Sequence, residues 1–180
     1  MKQLIFGGAR SGKSRLAEQL TQAYGDNIAY IATADTRFHD DEMKARVEHH
    51  KRQRPSHWKT IEQPLQLGQL LRQLDQQQDA IMVDCLTLWL TNALMSEEQD
   101  GECWAREKAE LLSALLDIKT PVIMVSNEVG MGIVPLGELN RRFVDESGFL
   151  NQAVAQQSDR TIFTAAGLPL VLKGPALTAL

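Results

Sequence analysis

Short apolar runs, several of them closed by Gly or Asp, divide the chain into alternating strands and helices. Residues 3–6 form an apolar run that stops at Gly7, which predicts a buried strand. Residues 13–24 carry helical periodicity and end at Gly25-Asp26. Residues 27–33 predict a second strand, and residues 40–53 a helix opened by Asp40 or Asp41 and stopped by Pro55. A short strand is expected at 57–61. Leu65, Leu67, Leu70, Leu71 and Leu74 then fall at near-helical spacing, predicting a helix over 64–74. Residues 80–83 are a continuous apolar strand closed by Asp84. Helices follow at 86–95 and 103–116, a strand at 121–125, a mainly helical stretch at 136–157, and late strands at 161–164 and 170–172. Short apolar strands alternating with helices predict an α/β fold whose mostly parallel central sheet is covered on both faces, in three layers.

The junction of the first strand and first helix carries the most specific chemistry. Gly7-Gly8-Ala9-Arg10-Ser11-Gly12-Lys13-Ser14 has the spacing of a P-loop. Its glycines let the backbone turn tightly and approach phosphate oxygens. Successive N–H groups and the helix N-terminus then form an anion site. Lys13 supplies positive charge near the β- and γ-phosphates, and Ser14 a hydroxyl for Mg2+. This predicts a P-loop NTPase-type fold. Such folds place a second acidic group at the end of a neighbouring strand, and Asp84 has that sequence. Asp84 could instead cap the helix that starts at Leu86, a common task for Asp after a strand.

A double histidine lies in the second helical stretch. At about 100° per residue, Glu42, Ala45, Arg46, His49 and Gln53 share one face, while Met43, Val47 and His50 share an adjoining, more apolar one. His49 is thus the better placed to face a polar site, and His50 to pack. Arg46, one turn before His49, would disfavour imidazolium and keep a neutral, nucleophilic ring. Two histidines on a charged helix can equally be a solvated surface, and periodicity does not choose between these readings. Adjacent helical residues diverge too far to share a metal, and His39 and His57 complete no ligand spacing.

Composition narrows the class. The 180 residues suit one domain over 1–180, with 43% hydrophobic and 23% charged residues. A net charge of −4, with both signs interspersed, points away from a nucleic-acid or anionic-membrane partner. Cys85 and Cys103 fit neither a disulfide framework nor a zinc site. No run is long enough to span a membrane, and the N-terminus has no signal-peptide pattern, so a cytoplasmic protein is expected.

Several ordered motifs together resemble one family. They are the phosphate loop, Tyr30-Ile31-Ala32-Thr33, the Asp-Asp-Glu-Met and Arg-Val-Glu-His-His-Lys stretches, Arg54-Pro55-Ser56-His57-Trp58-Lys59-Thr60-Ile61-Glu62, and Asn127-Glu128-Val129-Gly130-Met131-Gly132-Ile133-Val134-Pro135. Asn140-Arg141-Arg142-Phe143 and Asn151-Gln152 fit as well. The chain is similar to the bifunctional adenosylcobinamide kinase/adenosylcobinamide-phosphate guanylyltransferase family of cobalamin biosynthesis. The resemblance implies two reactions. ATP or GTP first phosphorylates the aminopropanol hydroxyl of adenosylcobinamide. GTP then gives GMP to adenosylcobinamide-phosphate through a histidine–GMP intermediate, leaving adenosylcobinamide-GDP and pyrophosphate.

The first histidine of the pair, His49, takes the nucleophile's role under this resemblance, beside Lys13 as the second catalytic residue. Nucleotide contacts map onto Gly7–Ser14, onto Thr33, Ala34 and Asp35, onto His50, Lys51, Arg52 and Gln53, and onto Glu62 and Asp84. Ser14 and Asp84 are the implied Mg2+ ligands. Some family members carry Glu at the position of Asp84. The 33–40 loop, with Thr-Arg-Phe-His, departs from some relatives, which bears on Ala34 and Asp35. The segment 127–135 follows a strand and carries two glycines, so it is expected as a loop near the site. A homotrimer is implied. The alternatives are a monofunctional P-loop kinase for another small hydroxylated metabolite, and a nucleotide-controlled switch. The second lacks the guanine-reading Asn-Lys-x-Asp motif of regulatory GTPases.

Overall fold

A computed structural model describes residues 1–35, 55–97 and 99–177. The expected helix over 40–53, with His49, His50, Lys51, Arg52 and Gln53, lies outside the described residues. Strands β1 (Lys2–Gly7), β2 (Ile28–Ala32), β3 (Lys59–Glu62), β4 (Ala80–Asp84), β5 (Val122–Asn127), β6 (Arg160–Ala165) and β7 (Leu168–Lys173) form one sheet in the order β3-β2-β4-β5-β1-β6-β7. The first six run parallel, and β7 returns antiparallel to β6. This is the three-layer α/β arrangement that the alternating pattern predicts.

Side-chain alternation assigns the two faces. Ala80 and Met82 of β4 join Ile5, Tyr30, Ile123 and Val125 under helix α1 (Lys13–Gln22). Ile81 and Val83 point the other way, joining Leu4, Ile31, Val122 and Met124. That face is covered by α2 (Leu67–Leu74), α3 (Leu86–Ser96), α4 (Cys103–Asp117) and α5 (Glu138–Gln157). Trp89, fully buried, stacks edge-on against Trp104 at 5.4 Å and anchors α3 to α4. Full burial of side chains of this size contributes about 1.5–3 kcal/mol each.

Element bounds differ from the sequence reading where local bonding overrides periodicity. Helix α2 begins at Leu67 rather than at residue 64, because Gln66 takes a left-handed conformation (φ 56°). Its backbone N–H is held by the buried Glu107 carboxylate at 2.7 Å, so Leu65 packs from the preceding turn instead of from the helix. Helix α1 stops at Gln22, where Tyr24 and Gly25 bond back to Thr21 and Gln22 in a tighter turn. Helix α5 starts two residues late, after Gly137 at φ 96°.

The topology fixes where a ligand can sit. Helix α1 leaves β1 toward one face, while α5, between β5 and β6, lies on the other. Adjacent parallel strands whose connections depart to opposite faces open a crevice at their C-terminal ends. Here that crevice lies between Gly7 of β1 and Asn127 of β5, which are partners in register.

Candidate nucleotide site

The phosphate loop occupies this crevice. Ala9 and Arg10 are exposed at its tip, and Gly8, Gly12, Lys13 and Ser14 are half-buried along its wall. Two glycines are required by space and conformation. A Cβ at Gly7 would lie 2.3 Å from the Thr164 carbonyl oxygen of β6 and 2.9 Å from Ser11 Oγ. Gly12 sits at φ 93°, a left-handed value that L side chains rarely adopt, directly before the first helical residue. The loop is braced from behind by the β6–β7 turn. There Ala166 (φ 51°) and Gly167 (φ 77°) form the two-residue connection suited to a twisted hairpin, and Gly167 N–H donates to the Ser11 carbonyl at 2.9 Å.

Lys13 Nζ donates to the Gly8 carbonyl at 3.2 Å, folding the side chain back over the loop. Burial draws its ammonium below the ordinary lysine value, and charge at Cys85 and Asp84 opposes that shift. The Cys85 thiol is fully buried and pushed up to about 12, chiefly by desolvation and then by Asp84. It is therefore neutral near pH 7, and Asp84 is the effective counter-charge of Lys13.

Asp84 ends β4 on the α1 face, two residues beyond Met82. Its Oδ2 accepts a hydrogen bond from the Tyr30 hydroxyl at 2.8 Å. The capping alternative fails. The N-cap of α3 is Cys85 in extended conformation, with no side-chain cap bond, so the carboxylate of Asp84 is not used to start the helix. The Asp84–Cys85 peptide is cis.

The other expected contacts lie along the same edge. Ala32 pairs with Asp84 on one side and with Glu62 on the other, so these backbones are about two strand spacings, roughly 10 Å, apart. Glu62 is exposed at the end of the edge strand. Thr33 is fully buried, and Asp35 is also buried, while Ala34 between them is half-buried. The Thr33 hydroxyl donates to the Cys85 carbonyl at 2.7 Å and accepts from Cys85 N–H at 2.9 Å. The Thr33 N–H donates to the Asp84 carbonyl at 3.2 Å. Thr33 thus clasps the turn that carries Asp84.

The segment 127–135 begins against the phosphate loop, with Glu128 N–H donating to the Gly7 carbonyl at 3.0 Å. Asn127 is fixed from two helices. Its N–H donates to Thr87 Oγ1 of α3 at 2.7 Å, and its carbonyl accepts from Asn151 Nδ2 of α5 at 3.2 Å. Farther along, Met131, Ile133, Val134 and Leu136 are exposed.

Phosphate loop, Asp84, the 33–35 turn and Glu62 are therefore brought to one sheet edge; His49–Gln53 cannot be placed. The sequence reading did not single out Tyr30, Thr87 or Thr164, nor the brace at Gly167. Tyr30 shares a face with Asp84 only through the register that sets it opposite Met82. The others act through partners distant in sequence, which no spacing rule reveals.

Comparison with known proteins bears on the family and the fold. Residues 3–172 match the family described as cobinamide kinase / cobinamide phosphate guanyltransferase. The chain is 50% identical over 177 residues to the bifunctional adenosylcobalamin biosynthesis protein CobP of Pseudomonas aeruginosa, covering 98% of this chain and 100% of the relative. It is 41% identical over 186 residues to the CobU protein of the same description from Salmonella typhimurium, covering 96% and 100%. Among solved structures it resembles a RadB recombinase with a TM-score of 0.50 at 18% identity, over 90% of this chain and 73% of that one. That likeness bears on the fold alone.

Proposed function

The chain belongs to the cobinamide kinase / cobinamide phosphate guanyltransferase family, and from that premise we propose how its own residues carry the two reactions. In the first, the aminopropanol hydroxyl of adenosylcobinamide attacks the terminal phosphorus of ATP or GTP. A P–O bond to the hydroxyl oxygen forms, the bond to the nucleoside diphosphate breaks, and the hydroxyl proton leaves. In the second, a neutral His49 ring nitrogen attacks the α-phosphorus of GTP and expels pyrophosphate. A phosphate oxygen of adenosylcobinamide-phosphate then displaces the histidine, giving adenosylcobinamide-GDP and the free enzyme.

The observation that carries this reading is the placing of Lys13 and Asp84 together at one sheet edge, beside the 33–35 turn. In both reactions negative charge builds on phosphate oxygens. The loop N–H groups and Lys13 hold that charge without reorganising, which makes such sites effective. Ser14 and Asp84 suit Mg2+, since both offer oxygen donors. Among the described residues no cluster of three His, Cys, Asp or Glu forms a dedicated cage, which suits an ion held largely by nucleotide phosphates. Bound there, Mg2+ would neutralise phosphate charge. Tyr30 orients the Asp84 carboxylate.

The 33–35 turn and Glu62, with His50–Gln53, are assigned to the guanine nucleotide. Base selection is then required only in the second reaction, because only that step leaves the base in the product. Among the described residues no helix is long and apolar enough to cross a membrane. Separately, the family resemblance leads us to propose a cytoplasmic homotrimer. GTP labelled on its α-phosphate tests the reading directly. Acid-labile label on the protein, passed on to cobinamide phosphate, is the expected result. A protein that takes up no α-label, yet transfers label to cobinamide from GTP labelled on its γ-phosphate, would be a kinase alone.

A further inference from the structure

Asn92 lies on α3, away from the phosphate loop, and it has no part in the chemistry above. Its single Nδ2 group donates twice, to the Thr33 carbonyl at 2.7 Å and to the Pro64 carbonyl at 3.0 Å. Thr33 is the first residue beyond β2, and Pro64 lies two residues beyond Glu62 at the end of β3. One side-chain amide therefore ties together the two chain segments that leave adjacent strands at the nucleotide edge. The ladder between them extends only one further bond, from Gln63 N–H to the Ala32 carbonyl at 2.8 Å. Beyond it, Asn92 spans the gap.

The chemistry suits asparagine. Two carbonyl oxygens converge on one atom, so that atom must carry two protons and no acceptor lone pair. A carboxylate would face both carbonyls with like partial charge, and a hydroxyl could serve only one. The Thr33 carbonyl belongs to a fully buried residue, so losing its donor strands a polar group away from water. Thr33 holds the Asp84–Cys85 turn through its hydroxyl and N–H instead. The two jobs are separable: the Thr33 side chain holds the backbone of Cys85, next to Asp84, and Asn92 fixes the spacing between the 33–35 turn and Glu62.

We propose that Asn92 is a positioning residue for guanine selection, setting the separation of the 33–35 turn from Glu62. The inference rests on the assignment of these two turns to the guanine nucleotide. The test uses the full chain with Asn92→Asp, which keeps the shape and removes both donors, and Asn92→Ser, which shortens the side chain and removes the bridge without introducing a carboxylate. KM and kcat are measured for GTP in guanylyl transfer and for ATP in the kinase reaction, together with competition by ATP against GTP.

The expected result is a rise in the GTP KM of about tenfold or more for Asn92→Asp, with a smaller rise for Asn92→Ser. Discrimination against ATP should fall by a similar factor. The kinase kcat and ATP KM should stay within about twofold, because Lys13 and Asp84 are untouched. Equal losses for both nucleotides and both reactions would make Asn92 a structural residue and overturn the proposal. So would guanine selection that persists unchanged in both variants. Failure of the underlying reading looks different: the unmodified protein itself would show no preference for GTP in guanylyl transfer.

Discussion

Tyr30 and Asp84 meet across neighbouring parallel strands, the phenol donating to Oδ2 of the carboxylate at 2.8 Å. Tyr30 is in register with Met82, so its ring reaches along the strand to the residue that ends it. The bond occupies one oxygen of Asp84 and fixes the orientation of the other. A hydrogen bond to a charged group contributes about 1.5 kcal/mol or more, which corresponds to roughly tenfold in rate.

Tyr30→Phe keeps the buried ring and removes only this donor. Turnover in both reactions should fall by about tenfold, while the melting temperature changes little. Full activity in both assays would show that Asp84 needs no such support.

Lys13 ties the site to pH. Its ammonium titrates below the ordinary value of 10.5 because burial disfavours the charge. For a base with a lowered pKa, the charged form is lost as pH rises through the lowered value, sooner than for a free lysine. The alkaline limb of kcat/KM, which reports the free enzyme, should therefore begin below the range of a free lysine. Asp84 holds that pKa up, so residual activity of Asp84→Asn should fall at still lower pH. Lys13→Ala should cost on the order of 10²–10³ in both reactions. Normal turnover in that variant would remove the phosphate loop from the mechanism.

Much of this arrangement was legible before any coordinates. The glycines at 7 and 12 and the lysine between loop and helix announce phosphate binding because few other tasks need them together. The strand that ends in Asp84 was equally plain, since four apolar residues precede one carboxylate. What the pattern could not show was partnership. Nothing local distinguishes an Asp84 that caps the helix from one whose carboxylate is left to face the site; Cys85 taking the N-cap position removes only the capping reading. Likewise Leu65 keeps helical spacing yet lies outside α2, because Glu107, distant in sequence, holds Gln66 in a left-handed turn.

That buried glutamate carries a stability prediction. Glu107 Oε2 accepts from Gln66 N–H at 2.7 Å and from Trp89 Nε1 at 3.0 Å, joining α2, α3 and α4 at one atom. Glu107→Ala leaves both donors without their acceptor and should cost about 2–3 kcal/mol. Glu107→Gln, whose amide oxygen can still accept, should cost less. Denaturant unfolding of the pair reads the difference. Equal stability of the alanine and glutamine variants would mean that the contact is packing and not polar.

His49 and His50 separate the two activities most sharply. They are adjacent in sequence, and on a helix neighbours point about 100° apart, so only one can face the α-phosphate. On the helix that the sequence predicts over 40–53, His49 would share the polar face with Arg46 and Gln53, where a cationic Arg46 would favour the neutral imidazole that a nucleophile requires. His49→Ala should abolish both the protein–GMP adduct and guanylyl transfer. Phosphorylation of cobinamide should survive, because that step uses Lys13 and the phosphate loop and no nucleotide–protein bond. His50→Ala should retain the adduct with weaker nucleotide binding. Intact-protein mass spectrometry after addition of GTP distinguishes the two variants. A GMP-sized mass increase that persists in His49→Ala and disappears in His50→Ala would move the nucleophile to His50.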